Sequence, residues 1–82
     1  MAARRRSSLR AQWLGHVLLG LRQHNKLTLK EVGEYLQRDL SVVSRFESGE
    51  QPARRGDVLV MLDLYGVDDK NQRDGPVQLA VA

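Results

Sequence analysis

The chain has 82 residues, of which 41% are hydrophobic, 28% charged and 5% aromatic, and this length suits one small domain. It contains no cysteine, which excludes disulfide bonds and thiolate metal sites and is typical of a reducing cytoplasm. The longest apolar run, residues 58–62, is far shorter than the ~20 residues that a membrane span needs. No apolar signal-peptide region follows the basic start. We therefore expect a cytoplasmic protein without membrane contact.

The positive charge is concentrated at the start of the chain. Residues 1–30 carry seven cations and no acid, although the net charge of the whole chain is only +3. Residues 57–82 carry five aspartates against Lys70 and Arg73. This gradient predicts that one side of the molecule meets a polyanion. For Arg4, Arg5 and Arg6 the alternative interpretation is that they form only a solvated arm.

Apolar residues at steps of three and four predict a first helix over residues 9–24, started by Ser7 or Ser8. These apolar residues are Leu9, Trp13, Leu14, Val17, Leu18 and Leu21. We expect Trp13 to lie in the core rather than to stack on a nucleic-acid base, because it belongs to this stripe. His16 and His24 lie on the same helix without a cysteine or a suitable carboxylate nearby, so we expect no metal site.

A capping box starts the second helix, since Thr28 can cap the helix and Glu31 can reach back to it. The helix is expected over residues 29–37, and its predicted buried residues are Val32, Tyr35 and Leu36. Glycine lowers helix stability relative to alanine, so Gly33 predicts the close approach of another helix at this position.

The third helix is predicted over residues 40–48. Asp39 can cap its start, and Gly49 can end it in a left-handed conformation. Val43 and Phe46 are expected to face inward, whereas the intervening residues point elsewhere.

Two more helices complete the pattern. The fourth is expected from about Asp57 to Gly66, with core spacing of its apolar residues. Asp68 can cap a short fifth helix, which we expect Gly75 and Pro76 to interrupt. Residues 77–82 then remain as an apolar tail without an assigned structure.

These elements predict an all-α fold, a compact bundle of about five helices. Residues 1–8 are expected to form a basic flexible arm and residues 9–74 the folded domain. Residues 75–82 are expected to begin a missing segment or to contact a second copy of the chain. Two short helices joined by three or four residues, with a small residue in the first helix, are typical of a helix-turn-helix.

The residues 28–49 read TLKEVGEYLQRDLSVVSRFESG, and this segment resembles the Cro/C1-type (XRE-like) helix-turn-helix family of DNA-binding regulators. The matching scaffold and end positions are Val32, Gly33, Leu36, Val43, Ser44, Arg45, Phe46, Glu47 and Gly49. The resemblance extends over residues 14–69, and its leucine-tyrosine-glycine-valine-aspartate ending is similar to a branch of actinobacterial regulators. It implies a lambda-repressor-like fold and a cytoplasmic, nucleoid-associated bacterial transcription regulator, such as a repressor, that binds double-stranded DNA as a homodimer.

The resemblance also implies roles for individual residues. In this family the helix over residues 40–48 reads the major groove, and the implied base-reading residues are Leu40, Ser41 and Arg45. The implied phosphate contacts are Thr28, Lys30, Ser44, Ser48, Arg54 and Arg55. The arm residues Arg4, Arg5 and Arg6 are expected to enter an adjoining minor groove. Arg22 and Glu47 stand at the positions of a structural ion pair.

Several positions depart from the family pattern, among them Gly75 and Pro76 in what is usually a continuous last helix. Gln37 stands where the family has glycine in the turn, and Arg38 stands where it has a small or apolar residue, so we expect a less tight or differently packed turn. Leu19 replaces an arginine, and outside the core it would form an apolar patch for a partner.

The main alternative function is a protein-interaction module, as in antitoxin-like or developmental partner proteins, that docks through the helix-turn-helix surface. The apolar Leu40 and Val42 favour this alternative, whereas Arg45 and the basic front segment favour DNA. The sequence contains no phosphate-binding glycine loop and no catalytic serine, histidine and aspartate set. We therefore expect neither an enzyme nor a cofactor.

Overall fold

The computed structural model describes residues 8–81 and contains five helices within them. They are α1 (Leu9–His24), α2 (Leu29–Leu36), α3 (Leu40–Ser48), α4 (Arg55–Leu64) and α5 (Lys70–Leu79). The predicted all-α fold is confirmed. None of these helices has the length and apolar character that crossing a membrane requires. The predicted arm contacts of Arg4, Arg5 and Arg6 lie outside the described residues.

Local capping determines where the first three helices begin and end. The Ser8 hydroxyl accepts a hydrogen bond from the Ala11 amide at 3.0 Å and caps α1. The predicted capping box of α2 is confirmed, because Thr28 and Glu31 bond each other in both directions. The predicted bounds of α1 and α3 are confirmed as well. Helix α2 ends one residue earlier than expected, because Gln37 adopts a left-handed conformation.

The first four helices all contribute side chains to the hydrophobic core. Its fully buried side chains are Leu14, Leu18, Val32, Val43, Val58, Met61 and Leu62, and Phe46 is 3% exposed. Helix α5 and the residue after it add partly buried Val77 and Leu79 and buried Ala80. The core therefore extends beyond the predicted domain end at residue 74.

Two aromatic residues predicted to be buried lie on the surface instead. Trp13 is 61% exposed and Tyr35 is 56% exposed. Helix α1 packs on α3 through the stripe that contains Leu14, Gly15 and Leu18, and Trp13 lies beside this stripe. On α2, Val32 and Gly33 face the core, and Tyr35 projects away from it.

The close approach of neighbouring backbone atoms explains why two helical positions are occupied by glycine. A Cβ atom on Gly15 would lie 2.5 Å from the Glu47 carbonyl oxygen, so α1 and α3 cross in contact at this point. A Cβ atom on Gly33 would lie 2.7 Å from the Arg38 carbonyl oxygen. The close approach predicted at Gly33 is therefore present, and it comes from the turn and the first residue of α3.

The last two helices differ from the prediction. Helix α4 begins at Arg55, two residues early, and Asp69 rather than Asp68 caps α5 through the Asn71 amide at 2.8 Å. Helix α5 continues through Gly75 and Pro76, so the predicted interruption is wrong. Glycine before a proline lacks the Cβ atom that clashes with the proline ring in a helix. Packing of the following turn on the core also favours the continued helix.

The end of the described chain returns to the start of α4. The Arg55 amide donates to the Val81 carbonyl oxygen at 2.7 Å, and the Val81 amide donates to the Ala53 carbonyl oxygen at 3.1 Å. These bonds form an isolated parallel bridge between Arg54 and Val81. Residues 77–81 are thus part of the folded unit, and a contact with a second copy stays a prediction.

Candidate nucleic-acid interface

The turn between α2 and α3 is tight although it lacks glycine. Gln37 has φ 59° and ψ 43°, a left-handed conformation that favours glycine. The next amide, that of Arg38, donates to the Gly33 carbonyl oxygen at 2.8 Å and closes the end of α2. Of the two expectations for this turn, the less tight turn is therefore wrong, because Gln37 adopts a left-handed conformation that closes it.

Arg38 connects this turn to α4. Its Nε atom donates to Asp57 Oδ1 and its Nη2 atom lies near Asp57 Oδ2, both at 3.1 Å. Asp57 lies in the first turn of α4, where a carboxylate is favoured by the helix dipole. The arginine that replaces a small residue in the turn therefore has a structural partner, and it links the turn to α4.

Helix α3 has one buried and one exposed face. Val43 and Phe46 hold it in the core, whereas Leu40, at the start of the helix, is 46% exposed. Ser41 and Arg45 are partly exposed on the side away from the core, and Ser44 is exposed. Within residues 8–81 the Arg45 guanidinium forms no salt bridge. Its donor groups are therefore available to an external acceptor.

An aspartate lies at the start of the exposed face. Asp39 is exposed, and its Oδ2 atom accepts from the Ser41 amide at 3.0 Å and from the Ser41 hydroxyl. These two bonds, together with the nearby charge of Arg45, hold the pKa of Asp39 below its ordinary value. An ionised carboxylate thus stands beside Leu40 and Ser41.

The start of α2 offers fewer free groups than the sequence suggests. The Thr28 amide donates to Glu31 Oε1 at 2.8 Å, and the Thr28 hydroxyl accepts from the Glu31 amide at 3.0 Å. Thr28 therefore keeps no free amide for a phosphate. The Leu29 and Lys30 amides belong to the first turn and have no acceptor within the helix, and the Lys30 side chain is exposed.

The segment after α3 presents two exposed arginines. Arg54 precedes α4 and Arg55 begins it, and both side chains are exposed. Ser48 is exposed as well, but its hydroxyl donates to the Arg45 carbonyl oxygen and accepts from the Glu50 amide, each at 3.2 Å. The cations of this segment are accessible, whereas the Ser48 hydroxyl is already bonded.

Arg22 and Glu47 form an ion pair that joins α1 to the end of α3. Arg22 Nε lies 2.7 Å from Glu47 Oε2, and Arg22 Nη2 lies 3.1 Å from Glu47 Oε1. Arg22 Nη1 also donates to the Leu27 carbonyl oxygen at 2.8 Å. The Glu47 bonds raise the pKa of Arg22 against the opposite effect of burial. The pair faces the interior, so its role is to hold helices together.

Comparison with known families identifies the arrangement of α2 and α3. Residues 13–74 match the family model of the helix-turn-helix domain. The chain belongs to this helix-turn-helix family. None of the curated proteins and none of the solved structures that were compared matches the chain.

In this helix-turn-helix domain, α2 is the first helix of the motif and α3 is the second, which in DNA-binding members enters the major groove. Of the predicted base-reading residues, Ser41 and Arg45 lie four positions apart on the outer face of α3, and Leu40 is exposed at its start. The predicted phosphate contacts lie at the start of α2, within α3 and along the chain from the end of α3 to the start of α4. Groups of three or more histidine, aspartate or glutamate side chains able to hold a metal are absent from residues 8–81.

One residue of the exposed face was absent from the sequence-based site. Asp39 was assigned only as a helix cap, although its side chain is exposed directly before Leu40, a predicted base-reading residue. The signal was present in its position next to Leu40. Its second carboxylate oxygen, Oδ1, could be recognised as unbonded only from the structure.

Proposed function

We propose that this helix-turn-helix domain binds double-stranded DNA in a sequence-specific manner and regulates transcription, with α3 in the major groove. The observation that carries the proposal is the division of α3 into two faces. Val43 and Phe46 anchor the helix in the core, and the opposite face presents Arg45 without a salt-bridge partner within residues 8–81. A free guanidinium on this face fits guanine, the base that arginine contacts with two hydrogen bonds.

The proposed base contacts differ in strength. Arg45 discriminates one base pair by about 1 to 3 kcal/mol through paired bonds to guanine O6 and N7. Leu40 offers apolar contact to a thymine methyl group, and Ser41 offers one hydroxyl. Three contacts of this kind specify few base pairs, so phosphate contacts and DNA shape contribute much of the binding energy.

The proposed phosphate contacts come from segments before and after α3 in the chain. The Lys30 side chain and the free amides of the first turn of α2 precede α3, and Arg54 and Arg55 follow it. Ser44 and Thr28 complete the proposed set together with Ser48, although the hydroxyls of Thr28 and Ser48 are bonded within the chain. The basic arm of Arg4, Arg5 and Arg6 is proposed to enter an adjoining minor groove.

We further propose that the protein is a Cro/C1-type bacterial repressor that acts as a homodimer on the nucleoid. Two reading helices in such dimers lie about 34 Å apart, one turn of the duplex. The preferred DNA site is then a palindrome with half-sites centred one turn apart.

Selection from randomised duplexes tests this function directly. The purified 82-residue chain is mixed with the pool at near-physiological salt, and the retained duplexes are sequenced. We expect an enriched palindrome. With about five phosphates contacted, the slope of log affinity against log salt is expected to lie near −4 to −5. A slope near zero contradicts DNA binding.

A second candidate function, a protein-interaction module, is supported by one surface feature. The largely exposed Trp13 lies beside an apolar groove of about 400 Å³ between α1 and α5, lined also by Val17, Leu21, Pro76 and Leu79. Apolar surface of this kind is typical of protein contacts. Weak retention of all duplexes without enrichment favours this second function over the first.

A further inference from the structure

The exposed carboxylate of Asp39, at the start of α3, has one oxygen that the helix cap does not use. Capping of α3 uses one oxygen only, since both Ser41 bonds end on Asp39 Oδ2. The other oxygen, Oδ1, accepts no hydrogen bond within residues 8–81, and Asp39 has no salt-bridge partner there. The neighbouring Arg38 is bonded to Asp57 and does not neutralise it.

The bond between Asp39 and Ser41 also determines the chemistry of Ser41. An ionised carboxylate cannot donate, so the Ser41 hydroxyl must give its hydrogen to Asp39 Oδ2. Ser41 then faces outward with lone pairs only. The first turn of the reading helix thus presents two acceptors, Asp39 Oδ1 and Ser41 Oγ, on either side of the apolar Leu40.

This surface distinguishes bases by their major-groove edges. Phosphates repel an ionised carboxylate, so its favourable place is a base edge that donates. Cytosine presents the N4 amino donor alone, whereas adenine places the acceptor N7 beside its N6 amino donor, and guanine presents only acceptors. An acceptor-only surface therefore fits cytosine best.

We infer that Asp39 is a base-reading residue that accepts a hydrogen bond from a cytosine N4 amino group with Oδ1. The inference rests on the proposed DNA binding through α3 and adds a reading residue to it. Arg45 lies six positions further along α3, a rise of about 9 Å or two to three base-pair steps. The half-site is then expected to contain this cytosine and a guanine about two to three base pairs apart.

The test uses substitutions that preserve the helix cap. Asparagine and serine cap helices about as well as aspartate, so Asp39→Asn and Asp39→Ser are expected to retain the unfolding midpoint of the wild-type chain. Duplex selection is carried out with all three 82-residue chains. We expect Asp39→Asn to change the preferred base at one position from cytosine to adenine, with about a tenfold change in relative affinity, because asparagine bonds both adenine N6 and N7. Asp39→Ser is expected to lose most of the preference at that position only.

Two results overturn the inference while leaving the proposed function intact. One is an enriched motif that stays the same in all three chains. The other is an equal rise in affinity of both variants for every duplex, which shows that Asp39 acts only by repelling phosphates. A wild-type chain that enriches no sequence overturns the proposed function and this inference together.

Discussion

Arg22 and Glu47 join α1 to the last turn of α3 through two hydrogen bonds of 2.7 and 3.1 Å. Both side chains are largely buried, at 14% and 7% exposure. The same arginine donates a hydrogen bond to the Leu27 carbonyl oxygen just before α2. One guanidinium is therefore bonded both to the last turn of α3 and to the segment that precedes α2. The ion pair therefore fixes the position of α3 from its inner side, away from the face proposed to contact DNA.

Removal of Arg22 is expected to destabilise the domain strongly. Arg22→Ala leaves the Glu47 carboxylate buried without its partner, and we expect a loss of about 3 kcal/mol in the free energy of unfolding. Lys70→Ala is the matched control, since it breaks an exposed pair with Asp74 and should change stability by no more than about 0.5 kcal/mol. Urea denaturation monitored by circular dichroism measures both. Equal effects of the two substitutions contradict a structural role for the buried pair.

The Tyr65 hydroxyl is buried without a hydrogen-bond partner within residues 8–81. Tyr65→Phe removes this unsatisfied group and should keep or raise stability, by up to about 1 kcal/mol. Burial, with a smaller effect of the Glu47 charge, raises the pKa of Tyr65 above its ordinary 10.0, so the unfolded chain loses this proton first. The part of the free energy of unfolding that depends on Tyr65 staying protonated is therefore fully present below pH 10 and is lost as the pH rises above 10. Denaturation at pH 7 and pH 10.5 should show a larger advantage of Tyr65→Phe at the higher pH, and a loss on substitution contradicts the assignment.

Features that depend on neighbouring residues in the chain could be predicted from the sequence. The caps at Thr28 and Asp39 and the end of α3 at Gly49 involve residues only a few positions apart, and all three are present. The exposure of Trp13 could not be predicted, because α1 carries two adjacent apolar stripes. The contact at Gly15 with α3 decides which stripe is buried.

The positions of the candidate-site residues could likewise be predicted only in part from the sequence. The outer position of Arg45 follows from the limits of α3 and from the inward positions of Val43 and Phe46. The capping box itself implied that the Thr28 amide donates a hydrogen bond to the Glu31 side chain. This bond limits the phosphate contacts that Thr28 can make. The pairing of Arg38 with Asp57 was not predictable, because it joins a residue of the turn to a residue of α4 that only the fold brings near it.

Two glycines of α1 offer a direct test of the helix crossing. Gly15→Ala places a Cβ atom against the backbone of α3, and we expect a loss of about 1 to 3 kcal/mol in the free energy of unfolding. Gly20→Ala meets nothing within 4 Å and should stabilise the same helix by up to about 1 kcal/mol. Thermal denaturation of both variants measures the difference. A stabilising Gly15→Ala contradicts the close crossing of α1 and α3.

The turn residue Gln37 is expected to reduce stability. Its left-handed conformation is unfavourable for a residue with a Cβ atom, so Gln37→Gly should raise the free energy of unfolding by about 0.5 to 1 kcal/mol. Gln37→Ala keeps the Cβ atom and serves as the control, with an expected change below about 0.5 kcal/mol. Chemical denaturation compares the two variants. An equal gain from alanine would show that the glutamine side chain, rather than the backbone conformation, is responsible.

Arg45 and Arg55 are expected to contribute to DNA binding in different ways. Arg45→Ala should lower affinity for the selected duplex about tenfold and relax the preference at one base pair, because it removes paired bonds to guanine. Arg55→Ala should weaken binding to all duplexes alike and reduce the magnitude of the salt slope by about 1, because it removes one phosphate contact. Fluorescence anisotropy titrations at several salt concentrations, with the selected duplex and a scrambled duplex, separate the two effects. If Arg45→Ala binds both duplexes as the wild-type chain does, α3 does not read DNA through this residue.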